Sequence, residues 1–411
     1  MPLEEPVTAQ ATALAQALIQ CPSVTPKQAG ALDLLERELA AAGFVCNRLV
    51  FGKGSAAVDN LVARFGPSQP AGNGRHLGFA GHIDVVPPGD EAAWKHPPFA
   101  GAIENGMLYG RGAVDMKGGV AAFVAAALAF CGTIKKDRQD DCDDSFSLTL
   151  LITADEEGEA VHGTAPVLDW MQQNGMMPDQ FIVGEPTSLE RPGDTIKHGR
   201  RGSLSGHLVV EGVQGHAAYP HLADNPLPRL MAMLEPLSIG ALDEGNDHFD
   251  PSTAAITSID TANPAGNVIP ARAEARFNIR FNDSQHRDEL KTWLEDHFNS
   301  HPAADGKPRH KITWSGNAEP FVTPPGALTD AAAAAVAAVT GTMPMLSTSG
   351  GTSDARFIAR YAAVVELGLV GKTMHQVDEA TPLDDLHQLT AIYAKLLEIL
   401  LAESMSEEAS R

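Results

Sequence analysis

Four short apolar runs constrain the fold of this chain more than anything else in it, because each leads directly into histidine or carboxylate. They are His76 to Ala80, Leu148 to Thr153, Phe181 to Val183 and Ala363 to Val370, separated by helical or turn-rich stretches. Strand-length runs alternating with helical texture predict an α/β sheet. Beyond the first come His82 and Asp84 in GHIDVVP, and beyond the second Asp155, Glu156 and Glu157 in TADEEG. Glu185 follows the third in FIVGEPT, and His375 the fourth in GLVGKTMHQVDE. Open α/β sheets build their sites outside the carboxyl ends of the strands, so these groups are expected along one edge.

The residue types carry the next step. His82 and Asp84 are two apart, and in an extended segment their side chains point the same way. That spacing suits a metal-ligating imidazole and a carboxylate that fixes its tautomer. Asp115 sits in the glycine-rich GRGAVDMKGG just before the apolar run VAAFVAAALAF, where a helix N-terminus favours negative charge. Asp155, Glu156 and Glu157 repel one another unless solvent or a cation relieves them. Singly, each group has an ordinary explanation as a helix cap, a solvated loop or a surface histidine. Together, clusters of histidine and carboxylate without thiolate at the ends of one sheet point to zinc, manganese or cobalt with open coordination positions, and so to hydrolysis.

A chain of 411 residues exceeds what one core usually organises, which predicts two domains. Between about Ser203 and Gly316 the texture runs strand (SLSGHLVVEG), helix (NPLPRLMAMLEPL), strand (TAAITSID), strand, helix (SQHRDELKTWLEDHF), strand (HKITWSG). That order is the ferredoxin-like βαββαβ unit. Its fourth element places Ala273, Ala275, Phe277, Ile279 and Phe281 on one face and Glu274, Arg276, Asn278 and Arg280 on the other. The chain then returns through the alanine-rich stretch Asp330 to Val339 and the strand near Val364. Residues 1–201 and 316–411 are therefore expected to form one discontinuous domain, with 202–315 inserted into it. The charged stretch Lys135 to Asp144 and the tail Glu403 to Arg411 read as solvated loop or disorder.

A formal net charge of −22 with no block of lysine or arginine disfavours nucleic acid and anionic membrane as partners. The most apolar run, Val120 to Phe130, falls short of the roughly 20 residues a membrane-spanning helix needs, and reads as a buried helix. Cys21, Cys46, Cys131 and Cys142 show no paired spacing, and MPLEEPVTAQ has neither a basic nor an apolar leader region. A reducing cytoplasm is the expected location. An anionic substrate would need locally placed arginines.

The segments GHIDVVP, GRGAVDMKGG, TADEEG, GEPT and MHQVDE resemble, in this order, the motifs of the M20 metallopeptidase family. The longer strings GRRGSLSG, QGHAAYPHLADNP, GNVIPAR, FNIRF and TSGGTSDARFIA are similar to those of the family's branch acting on N-succinyl-LL-2,6-diaminopimelate, in lysine and cell-wall precursor synthesis. The resemblance implies a zinc-dependent exopeptidase-like catalytic domain with an inserted ferredoxin-like dimerisation domain. It further implies two zinc ions per subunit, with cobalt or manganese as substitutes. Asp115 would bridge them, His82 and Glu185 completing one site and Glu157 and His375 the other. Glu156 would be the general base, Asp84 the partner of His82, and His216 an oxyanion donor reaching across a homodimer.

A succinylated diamino diacid would need cations for its carboxylates, which makes Arg200, Arg201 and Arg280 the candidates. Tyr219, Asn267, Gly350, Gly351, Thr352 and Ser353 would add polar contacts. One departure from that branch is Gly371, where many of its members carry asparagine. The metal motifs do not separate this substrate from those of other M20 deacylases, such as acetylornithine deacetylase, aminoacylase or a glutamate-releasing carboxypeptidase. A silent metal-binding dimer is a reading of another class, against which Glu156 stands. A nucleotide-binding loop is not supported, because GRGAVDMKGG matches neither phosphate-loop pattern.

Overall fold

A computed structural model of the chain describes residues 5–71, 74–137, 146–303 and 305–408. Contacts divide the chain into two units, Met1–His198 with Thr323–Ser347 and Ser353–Arg411, and Gly199–Val322 with Thr348–Thr352.

In the first unit, eight strands among the described residues form one sheet. Their order is Val45–Phe51, Val58–Phe65, Phe146–Thr153, Arg75–His82, Gln180–Val183, Ala363–Glu366, Thr195–Lys197 and Met345–Ser347. The four strands from Phe146–Thr153 to Ala363–Glu366 run parallel to one another. They are short and apolar because helices cover both faces, so there is no polar face to alternate with. Register aligns their ends: His82 lies opposite Thr153, Ala80 opposite Val183, and Val183 opposite Glu366. The chain therefore leaves all four at one edge, which collects the acids and histidines there.

The apolar run after Asp115 lies in a helix longer than the sequence suggests, Lys117–Asp137. Its first 18 residues are long and apolar enough to cross a membrane by length and composition, and most of that stretch is buried inside the protein. Val120 through Ala127 are fully buried, as expected of a helix apolar on every side. Each large apolar side chain buried in this way contributes about 1.5–3 kcal/mol. Phe123 stacks on Phe79 with ring centroids 3.9 Å apart and meets Tyr393 edge-on at 5.3 Å. Gly119 lets the helix start close to the sheet, since a Cβ there would stand 2.4 Å from the carbonyl oxygen of Gly184. The helix N-terminus is thereby brought beside the strand end that carries Glu185.

The inserted unit has the strand order Thr253–Asp260, Arg272–Phe281, Gly202–Glu211, His310–Ala318, all antiparallel. With helices Pro226–Leu234 and Arg287–Asn299 this is the ferredoxin-like order. Phe277, Ile279 and Phe281 pack with Leu230, Met233, Leu294 and Phe298 into its core. On the opposite sheet face, Asn278 donates to the hydroxyls of Ser203 and Ser205 at 3.1 and 2.9 Å.

Three boundaries depart from the sequence reading. The insert begins at Gly199 rather than 202 and ends at Val322 rather than 315, because Gly199–Arg200 pairs with Phe321–Val322 and extends the unit at its neck. Residues Thr348–Thr352 also join it. Arg200 Nη1 donates to the carbonyl of Ser349 at 3.4 Å, and the Thr348 hydroxyl to that of His248 at 2.7 Å. The tail is helical rather than loose as far as Glu408, since AESMSEE has no glycine or proline to stop the helix from Leu383. Of the charged stretch, residues 138–144 lie outside the described residues.

Candidate metal centre

His82 closes the strand Arg75–His82 and is buried. Its Nδ1 lies 2.9 Å from the main-chain carbonyl oxygen of Asp84. A carbonyl can only accept, so Nδ1 carries the proton and the Nε2 lone pair faces the site. The tautomer is therefore set by the Asp84 backbone, a correction to the expectation that its carboxylate does so; that carboxylate stands 3.6 Å away. It accepts instead from the amides of Glu156 at 3.3 Å and Glu157 at 3.1 Å, fixing the acidic loop beneath the site. Burial pushes the Asp84 carboxyl up to about 6, with His82 and these amides pulling the other way.

Asp115 is the centre of the arrangement. Its Oδ1 is 3.3 Å from His82 Nε2, and its Oδ2 is 3.2 Å from His375 Nε2. Around the first oxygen, Glu185 Oε1 stands 3.8 Å from His82 Nε2, and around the second, Glu157 Oε1 stands 2.9 Å from His375 Nε2. Two groups result, His82–Asp115–Glu185 and Asp115–Glu157–His375, each with its ligand atoms within 4.8 Å of one another.

These residues fit divalent cations. Among the described residues, His82 Nε2 and Asp115 Oδ1 are buried with no hydrogen-bond partner, which costs about 1–3 kcal/mol per group unless something else satisfies them. Burial opposes a charge on His82, yet Asp115, Glu156, Asp84 and Glu185 together raise its affinity for a proton well above the imidazole range. Asp115 and Glu157 push His375 up to about 10. The field that draws protons onto both imidazoles is the field a cation would feel. His375 has φ 62°, a left-handed conformation that costs a non-glycine residue about 1–3 kcal/mol and persists only where its surroundings enforce it.

Of the three adjacent acids, Asp155 turns inward. Its carboxylate accepts the amides of Ala160, Val161 and His162 at 3.3, 3.0 and 2.9 Å and closes the loop. Glu156 and Glu157 remain at the site. Burial lifts the Glu156 carboxyl well above the usual carboxylate range, with Glu185, Asp354 and Glu157 adding to the shift and His82 opposing it.

Other expected contacts belong to the inserted unit. There His216, Tyr219 and Asn267 come together: His216 pairs with Val268, its ring centroid is 5.6 Å from that of Tyr219, and Ala217 N donates to the Asn267 carbonyl at 2.9 Å. Ala218 N donates to His216 Nδ1 at 3.0 Å, which leaves the ring proton on Nε2 as an outward donor. Arg200 is buried and runs under Gly350, where a Cβ would stand 2.5 Å from its Nη1. Gly351 is exposed and Thr352 half-buried. Arg201 donates to the Pro251 carbonyl at 3.3 Å, but its Nε is buried with no partner among the described residues. Burial first, and the Arg201 guanidinium second, disfavour the charge on Arg280. Among the described residues neither Arg201 nor Arg280 pairs with an acid.

Ser353 falls in the first unit and is corrected: it is buried, and its hydroxyl donates to Glu366 rather than standing open to a ligand. At Gly371 a Cβ would lie 3.1 Å from the Pro186 carbonyl oxygen, which leaves little room for a side chain. Three residues at the site escaped the sequence reading. Arg111 and Glu379 form a buried ion pair behind Asp115, and Asp354 is a buried carboxylate in the field of Glu156. Arg111 lies inside GRGAVDMKGG and Glu379 inside MHQVDE, but nothing local announces a pairing between residues 268 apart.

Residues 78–399 match the model of peptidase family M20/M25/M40. A succinyl-diaminopimelate desuccinylase of Rhodopseudomonas palustris (strain BisB18) is 53% identical over 390 residues, covering 94% of this chain and 97% of that relative. One from Rhodospirillum centenum is 54% identical over 387 residues, covering 94% and 96%. Among solved structures, an M20 metallo-carboxypeptidase from Sulfolobus solfataricus superposes with a TM-score of 0.75 at 18% identity, over 97% of this chain and 100% of that one. A dinuclear metal-binding M20 peptidase from Bacillus subtilis does so with a TM-score of 0.68 at 15% identity, over 97% and 99%. The match over most of its length, the relatives at half identity and the shared fold agree: the chain belongs to peptidase family M20/M25/M40.

Proposed function

We propose that the chain is a two-zinc amidohydrolase that cleaves N-succinyl-LL-2,6-diaminopimelate to succinate and LL-2,6-diaminopimelate, in diaminopimelate and lysine biosynthesis. The observation that carries the reading is the Asp115 carboxylate, whose two oxygens face two separate groups of ligands. His82, Asp115 and Glu185 would hold one cation, and Asp115, Glu157 and His375 the other, with cobalt or manganese able to replace zinc. Bound there, the pair would acidify a water and polarise the amide carbonyl.

The remaining roles fall to the chain's own residues. Glu156 takes the proton of the attacking water and passes it to the leaving amine. Asp84 holds the loop of Glu156 and Glu157 by its carboxylate and orients His82 by its carbonyl. His216 of the partner subunit supplies the outward Nε2–H to the developing oxyanion. Arg201 and Arg280, which pair with no acid among the described residues, and Arg200 beneath Gly350 would suit the substrate's carboxylates. Tyr219, Asn267, Gly350, Gly351 and Thr352 would add polar contacts to the substrate. The homodimer is expected through the inserted unit, whose edge strand Thr253–Asp260 is bridged by Ala241 only at Thr253 among the described residues and leaves Ile259 exposed. A cytoplasmic location suits the free thiols of Cys21 and Cys46.

The test is free-amine release by the zinc-loaded protein from N-succinyl-LL-2,6-diaminopimelate, beside N-acetylornithine and a C-terminal glutamyl dipeptide. A kcat/KM at least a hundredfold higher for the succinylated diacid is expected. Preference for another amide would keep the metal chemistry and discard the substrate.

A further inference from the structure

Behind the carboxylates that face the site lies an ion pair that the reaction itself does not use. Arg111 and Glu379 are 3% and 0% exposed, and Arg111 Nη1 donates to Glu379 Oε2 at 2.7 Å. The guanidinium also lies over the Trp94 ring, 5.0 Å from its centroid.

The two side chains grip different pieces of backbone. Glu379 Oε1 accepts the amides of Val114 at 2.9 Å and Asp115 at 3.1 Å. Arg111 donates from Nη1 to the Gln376 carbonyl at 3.1 Å and from Nη2 to the His375 carbonyl at 3.4 Å. One end of the pair thus holds the main chain at Asp115, and the other holds it at His375. His375 and Asp378 have φ of 62° and 60°, so this loop relaxes away from its conformation unless something restrains it. His82 and Glu185 need no such restraint, because they end or directly follow strands whose register the sheet fixes.

An apolar pair of similar volume would fill the space, and burying a charge pair is not in itself a gain in stability. Apolar side chains, however, would neither accept the two amides nor donate to the two carbonyls. We propose that Arg111 and Glu379 are positioning residues that set the Asp115 main chain against that of His375. They thereby tune the affinity of the Asp115–Glu157–His375 subsite for its cation and leave the His82 subsite nearly unchanged. The inference rests on the two-cation reading.

The test titrates zinc into the metal-free, full-length chain by calorimetry, with bound zinc counted after equilibrium dialysis and thermal unfolding followed in parallel. The variants are Glu379→Gln, Arg111→Lys, and the double variant Arg111→Met with Glu379→Leu, which removes both charges together and is expected to fold even if a single variant does not. Wild type should take two ions. Folded Glu379→Gln and the folded double variant should bind one ion with wild-type affinity and the second at least tenfold more weakly, the range seen when groups that orient metal ligands are altered. Arg111→Lys keeps the charge but loses the fork, and should fall between. A folded variant that binds both ions as wild type does, or that loses both equally, overturns the inference and leaves the two-cation reading standing. Fewer than two ions in wild type overturns both.

Discussion

Replacing Glu156 by glutamine should abolish turnover while both cations stay bound. Glutamine keeps the size of the side chain and the backbone amide that Asp84 holds, so the loop and the neighbouring Glu157 should remain in place. What it removes is the group able to take and return a proton. General acid–base catalysis contributes about 10²–10⁴-fold, so kcat should fall at least a hundredfold, or about 2.7 kcal/mol. The measurement is kcat with metal content determined on the same sample. Retention of more than about a tenth of wild-type kcat, roughly 1.4 kcal/mol, would remove Glu156 from that role.

Asp115→Asn should have the widest effect of any single change at the site, because one carboxylate serves both groups of ligands. The amide offers one oxygen instead of two and carries no charge, so neither cation would keep its full ligand set. Both affinities for zinc should fall at least a hundredfold, an order of magnitude based on the losses that follow even from changes behind the ligands. Glu185→Gln should weaken only the ion shared with His82. Calorimetric titration of the two variants side by side separates these outcomes. If Asp115→Asn weakened a single ion, Asp115 would be a terminal ligand rather than a bridge.

The candidate ligand groups were legible in the sequence because the chemistry and the strand pattern coincide. An apolar strand that runs into histidine or carboxylate announces both its element and its edge, as at His82, Glu157 and Glu185; the strand before His375 stops at Glu366 rather than Val370, so His375 sits on a loop well beyond it. Asp115 was legible for another reason, its place in a glycine-rich turn before a helix apolar on every side. What remained hidden depends on contacts between distant segments or on the main chain. The His82 tautomer is set by a carbonyl, which every residue has, so no residue type could reveal it. Asp155 looks like a third site acid and is instead tied to the three amides of its own loop. The Arg111–Glu379 pair and the short pairing of Gly199–Arg200 with Phe321–Val322 join segments far apart in the chain, and neither has the length or periodicity that a pattern search detects. Ser353 shows the converse error, since a serine beside two glycines suggests an open ligand contact and turns out to serve a buried glutamate.

The most direct test of the two-cation centre is a crystal of the zinc-loaded chain, measured on both sides of the zinc absorption edge. Two anomalous peaks are expected, one bounded by His82 and Glu185 and one by Glu157 and His375, each about 2.0–2.2 Å from a different oxygen of Asp115. A single peak, or two peaks that do not share Asp115, would contradict the two-cation centre.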